Sequence, residues 1–111
     1  MNKKLFTKIV ELVSNLTSVE EHEIFNRSRK KALVDARYLI IYIARQLDIK
    51  PVYIQRYFTL RGFELHYTTL FHAINRIDKD MKTDLEVREI VDSVILQFNP
   101  TKVINTEYIN Q

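Results

Sequence analysis

Between residues 66 and 74 the chain reads His-Tyr-Thr-Thr-Leu-Phe-His-Ala-Ile, which sets two short hydroxyl side chains, Thr68 and Thr69, at the opening of an amphipathic stretch. A threonine hydroxyl both donates and accepts a hydrogen bond, and its methyl packs on a thymine methyl. Threonines on the first turn of a helix therefore suit base-pair edges in a major groove. Leu70, Phe71, Ile74, Ile77 and Met81 recur at three- and four-residue spacing and are predicted to face a core. The other side presents Thr68, Thr69, His72, Asn75, Arg76 and Lys79, a short, polar and mildly basic surface. An ordinary solvated surface helix can carry the same pattern, so the preceding residues decide its meaning.

Those residues are strongly basic. From position 27 to 61, Arg27, Arg29, Lys30, Lys31, Arg37, Arg45, Lys50, Arg56 and Arg61 stand against only Asp35 and Asp48. This segment carries a net of seven positive charges, while the rest of a chain whose total is +3 sums to −4. Charge sorted in this way makes a local field that attracts polyanions with salt-dependent affinity. Double-stranded DNA is the predicted partner.

Enzyme chemistry has no support. His22, His66 and His72 are the only histidines, and no nucleophile, base and orienting group can be assembled around them. With no cysteine there is no disulfide framework, thiolate or cysteine-based zinc site. His72 shares its face with Arg76 rather than a second histidine, so neither a metal nor a cofactor is expected. No glycine-rich Lys-Ser/Thr phosphate loop is present, and no nucleotide partner or ATPase activity is expected. After its basic opening the N-terminus continues with Lys8, Glu11, Ser14 and Asn15 in amphipathic order, the pattern of a helix rather than a signal peptide. The longest apolar-rich stretch, Tyr38 to Ala44, is bounded by Arg37 and Arg45 and is too short for a bilayer. A cytoplasmic protein with no membrane partner is expected.

Gly62, Pro51 and Pro100 are the only glycine and prolines, and the periodicity is helical nearly throughout, which predicts an all-α fold of about six helices. The first helix runs from Lys3 to Leu16 and buries Leu5, Phe6, Ile9, Val10, Val13 and Leu16. Ser18 and Glu21 have capping-box spacing for a short second helix through Val19, Ile24 and Phe25. A basic loop, Asn26 to Lys31, leads into a third helix from Ala32 to Leu47. Its stripe is Leu33, Ala36, Ile40, Ile43 and Leu47, widened by Leu39 and Ala44, and this helix is the predicted central strut. Asp48 ends it, and Pro51 sits in the first turn of a fourth helix that buries Val52, Ile54, Tyr57 and Phe58. Thr59 to Leu65 turns the chain into the fifth helix, described above. A sixth spans Asp84 to Gln97, with Leu85, Val87, Ile90, Val91, Val94, Ile95 and Phe98 inside. Residues 1–111 read as one domain with its core in 3–98 and a flexible tail over 99–111.

From about Ile9 to Val94 the order and spacing of these features resemble the C-terminal DNA-binding domain of the DnaA family of bacterial chromosomal replication initiators. That family follows a basic loop with a helix in the frame taken here by Arg29-Lys30-Lys31-Ala32-Leu33-Val34-Asp35-Ala36-Arg37-Tyr38-Leu39-Ile40. It then carries a signature ending Thr-Thr-hydrophobic-x-His-Ala, which Thr68-Thr69-Leu70-Phe71-His72-Ala73 matches and which is the most specific piece. The resemblance implies a helix-turn-helix of the DnaA C-terminal, Trp-repressor-like type. It implies that Arg29 enters a minor groove, that Arg37 contacts a phosphate, that Arg45 lies near the DNA backbone and that Thr68 and Thr69 read bases. His66 and Tyr67 stand where the family has the base-reading Asp-His, Tyr38 stands for a glutamine, and the turn before the fifth helix is longer. Periodicity alone reads Tyr67 as a core aromatic.

The candidate groove contacts are thus Arg29, His66, Tyr67, Thr68 and Thr69, and the candidate backbone contacts are Arg27, Lys30, Lys31, Arg37, Arg45, Arg61, His72 and Arg76. The function these residues predict is binding of double-stranded DNA by a small regulator of replication initiation or transcription. The alternative is a helical protein-interaction module that keeps the fold without reading DNA, using Tyr38, Tyr53, His66 and Tyr67 as an aromatic surface. A protein partner is also possible through the N-terminal helix or the tail.

Overall fold

A computed structural model describes residues 2–99. The chain forms α1 (Lys3–Thr17), α2 (Glu21–Ile24), α3 (Lys31–Gln46), α4 (Pro51–Leu60), α5 (Tyr67–Thr83) and α6 (Leu85–Leu96), with no strand among the described residues. α3 is the strut that its composition predicts. It buries Leu33, Ala36, Leu39, Ile40, Ile41, Tyr42, Ile43 and Ala44 because α1, α5 and α6 surround it, and such a helix needs apolar groups on more than one stripe. Ile9, Val10 and Val13 of α1, Ile54 and Phe58 of α4, Leu70 and Ile77 of α5, and Val91 and Val94 of α6 close on it from the sides.

Three of the helix ends share one device. Ser18 (φ 58), Asp48 (φ 67) and Gly62 (φ 88) each take a left-handed conformation, and the next residue returns its N–H into the helix just left. Val19 donates to the Ser14 carbonyl at 3.2 Å, Ile49 to Ala44 at 3.0 Å and Phe63 to Phe58 at 3.0 Å. This is the Schellman closure, and the apolar residue after the turn packs back on the helix. Only one of the three uses glycine. Ser18 is therefore the stop of α1 and not the cap of α2, which Glu20 opens with no side-chain capping bond. α6 does have a side-chain cap: Asp84 accepts the Val87 N–H at 3.2 Å.

Several residues predicted as core lie outside it. Phe71 is 50% exposed and Leu85 68% exposed, and Leu16, Val52 and Phe98 are also at the surface. On α5 the arc covered by neighbours runs through Leu70, Ala73 and Ile77, and a step of one residue rotates a side chain by about 100°, which carries Phe71 out of that arc. Asn99 still donates its N–H to the Ile95 carbonyl, at 2.7 Å, while the tail predicted beyond it lies outside the described residues.

Candidate nucleic-acid interface

Two loops far apart in sequence meet at one groove. The α2–α3 loop contributes Arg27, Ser28 and Arg29, and the α4–α5 connector contributes Phe63, Glu64, Leu65 and His66. Thr69 comes from the first turn of α5, and Val34, Arg37, Tyr38 and Ile41 from α3. Each wall is held by specific bonds. On the loop side, Arg37 Nε donates to the Ile24 carbonyl at 2.6 Å, and its Nη2 donates to Asn26 at 2.6 Å and Ser28 at 2.7 Å. Ser28 Oγ accepts the Lys30 N–H at 3.2 Å, a local turn that starts α3.

On the connector side, Gln55 Nε2 donates to the Leu65 carbonyl at 2.8 Å, and the Leu65 side chain is buried in the core. Phe63 packs edge-on against Phe58 with centroids 5.8 Å apart. His66 caps α5 in an extended conformation (φ −83, ψ 147) with no side-chain capping bond. The first-turn N–H groups and the positive end of the helix dipole are thereby left open beside the groove.

The predicted contacts divide into three groups. Arg27, Arg29, Arg37, His66 and Thr69 come together in the groove, Arg37 at its floor and largely buried. Tyr67, Thr68 and His72 sit beside it on the exposed face of α5, and Lys30 is exposed on the loop. Tyr67, a core aromatic by periodicity, is 45% exposed and lies beside Phe71, with ring centroids 6.2 Å apart. His72 meets Tyr38 edge-on at 5.8 Å. Arg45 is half-buried on the same α3 stripe as Tyr38 and Ile41, and its Nη1 donates to Ile49 at 3.1 Å.

Arg37 and the remaining cations are engaged by protein. Arg37 is only 6% exposed: it lies at the floor of the groove, with its guanidinium taken up by three carbonyls. Arg61 turns to the far side of the connector, bonding Glu21 at 3.1 Å and lying over Phe25 at 4.4 Å. Arg76 bonds Asp35, approaches Asp80 at 3.6 Å and covers Tyr38 at 5.1 Å. Lys31 bonds Asp35 from the other side at 2.8 Å.

These bonds set the charge states. Burial alone would raise the Asp35 carboxyl, but the hydrogen bonds and charges of Lys31 and Arg76 outweigh it and hold Asp35 below its ordinary value. Burial would lower Arg76, yet the bond to Asp35 raises it. Burial lowers Arg37, and three carbonyl acceptors keep its charge satisfied. Among the described residues no carboxylate pairs with Arg27, Arg29 or Lys30.

Sequence reading missed Ser28, Gln55, Phe63 and Glu64. Phe63 had a signal, since an apolar residue directly after a left-handed glycine is the usual partner of a Schellman turn. Glu64 had none: it places an exposed carboxylate in an otherwise cationic groove, 4.0 Å from His66. No group of three or more His, Cys, Asp or Glu among the described residues could hold a metal ion. No described helix is long and apolar enough to cross a membrane.

The class is a small all-α domain in which two helices, α4 and α5, joined by the connector 61–66, stand beside a basic interhelical loop. No family model matches the chain. Individual relatives do match, and all are chromosomal replication initiator proteins DnaA. The one from Lachnoclostridium phytofermentans is 29% identical over 102 residues, 90% of this chain and 22% of its own length. Those from Nautilia profundicola and Lactobacillus helveticus are each 34% identical, over 72% and 77% of this chain and 18% of their own lengths. The chain thus spans about a fifth of the length of the curated relatives it matches. Over that fifth the chain is similar to the C-terminal portion of these initiator proteins.

Proposed function

We propose that this domain binds double-stranded DNA, with the basic loop following a minor groove and the first turn of α5 entering the adjacent major groove. What supports the reading above all is the single groove shared by Arg27 and Arg29 of one loop and His66 and Thr69 of a distant connector and helix. Arg29 is the minor-groove reader, favouring A·T pairs, and Thr68 and Thr69 are the base-edge readers. His66 and Tyr67 flank them, while Arg27 and Lys30, with Lys31, Arg45 and His72 at the margins, meet phosphates. Arg61 and Arg76, each already in an ion pair, contribute least. The relatives' name supports a place in replication initiation, and transcription control through similar sites is the other process this reading allows. The domain acts by occupancy, with no nucleotide and no ATPase step of its own.

The test is fluorescence anisotropy on a duplex carrying an initiator-type box and on a scrambled duplex, at two salt concentrations. Tighter, salt-sensitive binding to the box is the expected result. Equal binding to both would remove the sequence-reading roles. A protein-interaction module has one observation in its favour, the exposed Tyr67–Phe71 pair on α5. It becomes the better reading if no duplex binds even at low salt.

A further inference from the structure

We infer that Arg37 is a positioning residue that holds the two walls of the groove at a fixed separation, acting from inside the protein and not on a phosphate. The inference rests on the DNA-binding reading for its consequence, but its mechanism is a property of the free protein. The guanidinium donates to carbonyls at the end of α2 and at two points of the basic loop, Ile24, Asn26 and Ser28. Its face lies over the Phe63 ring at 4.5 Å. Phe63 belongs to the connector that delivers α5, so one planar group touches both walls.

The loop needs such an anchor. Arg27, Arg29, Lys30 and Lys31 repel one another, and the loop has no helix or strand of its own to absorb its carbonyls. Arginine is the side chain that fits, because its rigid fork carries five N–H donors and its flat face stacks on a ring. A lysine at the same place keeps the charge but reaches fewer carbonyls and offers no plane. With the anchor intact, the spacing between Arg29 and Thr69 is set before DNA arrives. Arg37 therefore governs discrimination between sequences more than attraction to DNA.

Two measurements on the full chain decide this. The first compares wild type with Arg37→Lys by limited trypsin digestion and by anisotropy on box and scrambled duplexes across a salt series. With helix content kept, cleavage after Arg27, Arg29 and Lys30 is expected to rise about tenfold while cleavage after Lys79 on α5 is unchanged. The preference for box over scrambled DNA is expected to fall about tenfold. A variant that keeps both loop protection and preference overturns the inference, since lysine serves a phosphate as well as arginine does. So does a uniform loss on both duplexes with the salt slope reduced by about one and the loop still protected.

The second measurement needs no variant and holds if Arg37→Lys fails to fold. The Arg37 Nε–H of the free wild-type protein should be resolved and slow to exchange in 15N NMR, and adding duplex should leave it in place. An Nε–H that exchanges freely until DNA is added would overturn the inference. Failure of wild type to bind any duplex would defeat the DNA-binding reading alone, because protease protection and exchange in the free protein still decide the anchor.

Discussion

Eight arginines of the same intrinsic chemistry end in different situations, and only the folded chain separates them. Arg27 and Arg29 remain at the groove. Arg37 and Arg88 are buried and tie down carbonyls, Arg88 through Nε and Nη2 to Met81 at 3.1 and 2.7 Å. Arg61 and Arg76 find carboxylates 40 and 41 residues away, a distance in sequence at which no local pattern gives notice. Thr69→Ala is expected to cost about 1–3 kcal/mol of discrimination at one base position with the fold unchanged, measured by anisotropy on single-base variants of the box. Equal binding curves for Thr69→Ala and wild type on every variant would take α5 out of the major groove. Asp35 gives a pH prediction. Its carboxyl is held below its ordinary value in the folded state, so the stability it supplies is present at neutral pH and is lost as the pH falls through that lowered value. Asp35→Asn should therefore melt lower at pH 7, by about 1 kcal/mol, and the two melting curves should converge in acid. A constant gap at all pH values would show that the loss has another origin.

At the scale of elements, helix positions were legible and the left-handed closures that end helices were not. The apolar periods of α1, α3, α5 and α6 are long enough to define each helix to within a residue or two, and Pro51 marks the start of α4. The left-handed conformation at Ser18 and Asp48 gives no such signal, because neither residue is the glycine that usually takes it, although Asp48 does mark the end of α3. The capping-box spacing from Ser18 to Glu21 competes with the Schellman closure of α1, and the closure wins because it buries Val19 against the helix while satisfying the Ser14 carbonyl. Two substitutions should then act in opposite directions. Ser18→Gly relieves a left-handed strain and is expected to stabilise by about 0.5–1 kcal/mol. Gly62→Ala meets no atom within 4 Å of its new Cβ, so its expected loss of about 1 kcal/mol is backbone strain alone. Thermal melts of both variants check the signs. Gln55→Ala strips the Leu65 carbonyl of its donor, and is expected to cost about 1–3 kcal/mol and to weaken box binding, since the released connector carries His66.

For the molecule as a whole, the charge sorting and the central helix act together. α3 supplies the core and also carries, on its outer stripe, the floor of the groove between two loops that do not touch in sequence. Ile40, fully buried at the middle of this helix, sets the scale of the core: Ile40→Ala is expected to cost about 2–5 kcal/mol in chemical denaturation. If Arg27, Lys30, Lys31 and Arg45 meet phosphates, the logarithm of the binding constant should fall against the logarithm of salt with a slope on the order of −4. A slope near zero would mean that the basic field is a solvated face and nothing more.

The sequence alone determined the all-α class, the order of the helices, the position of the basic loop and the first turn of α5, because each follows from local periodicity, turn residues or summed charge. Tertiary structure alone decided which cations remain at the groove. That choice depends on carbonyls and carboxylates brought together across dozens of residues, and on arcs of helix surface covered or left open by neighbours. Arg37 is buried at the groove floor, Arg61 faces away, and Phe71 and Tyr67 are outside for that reason.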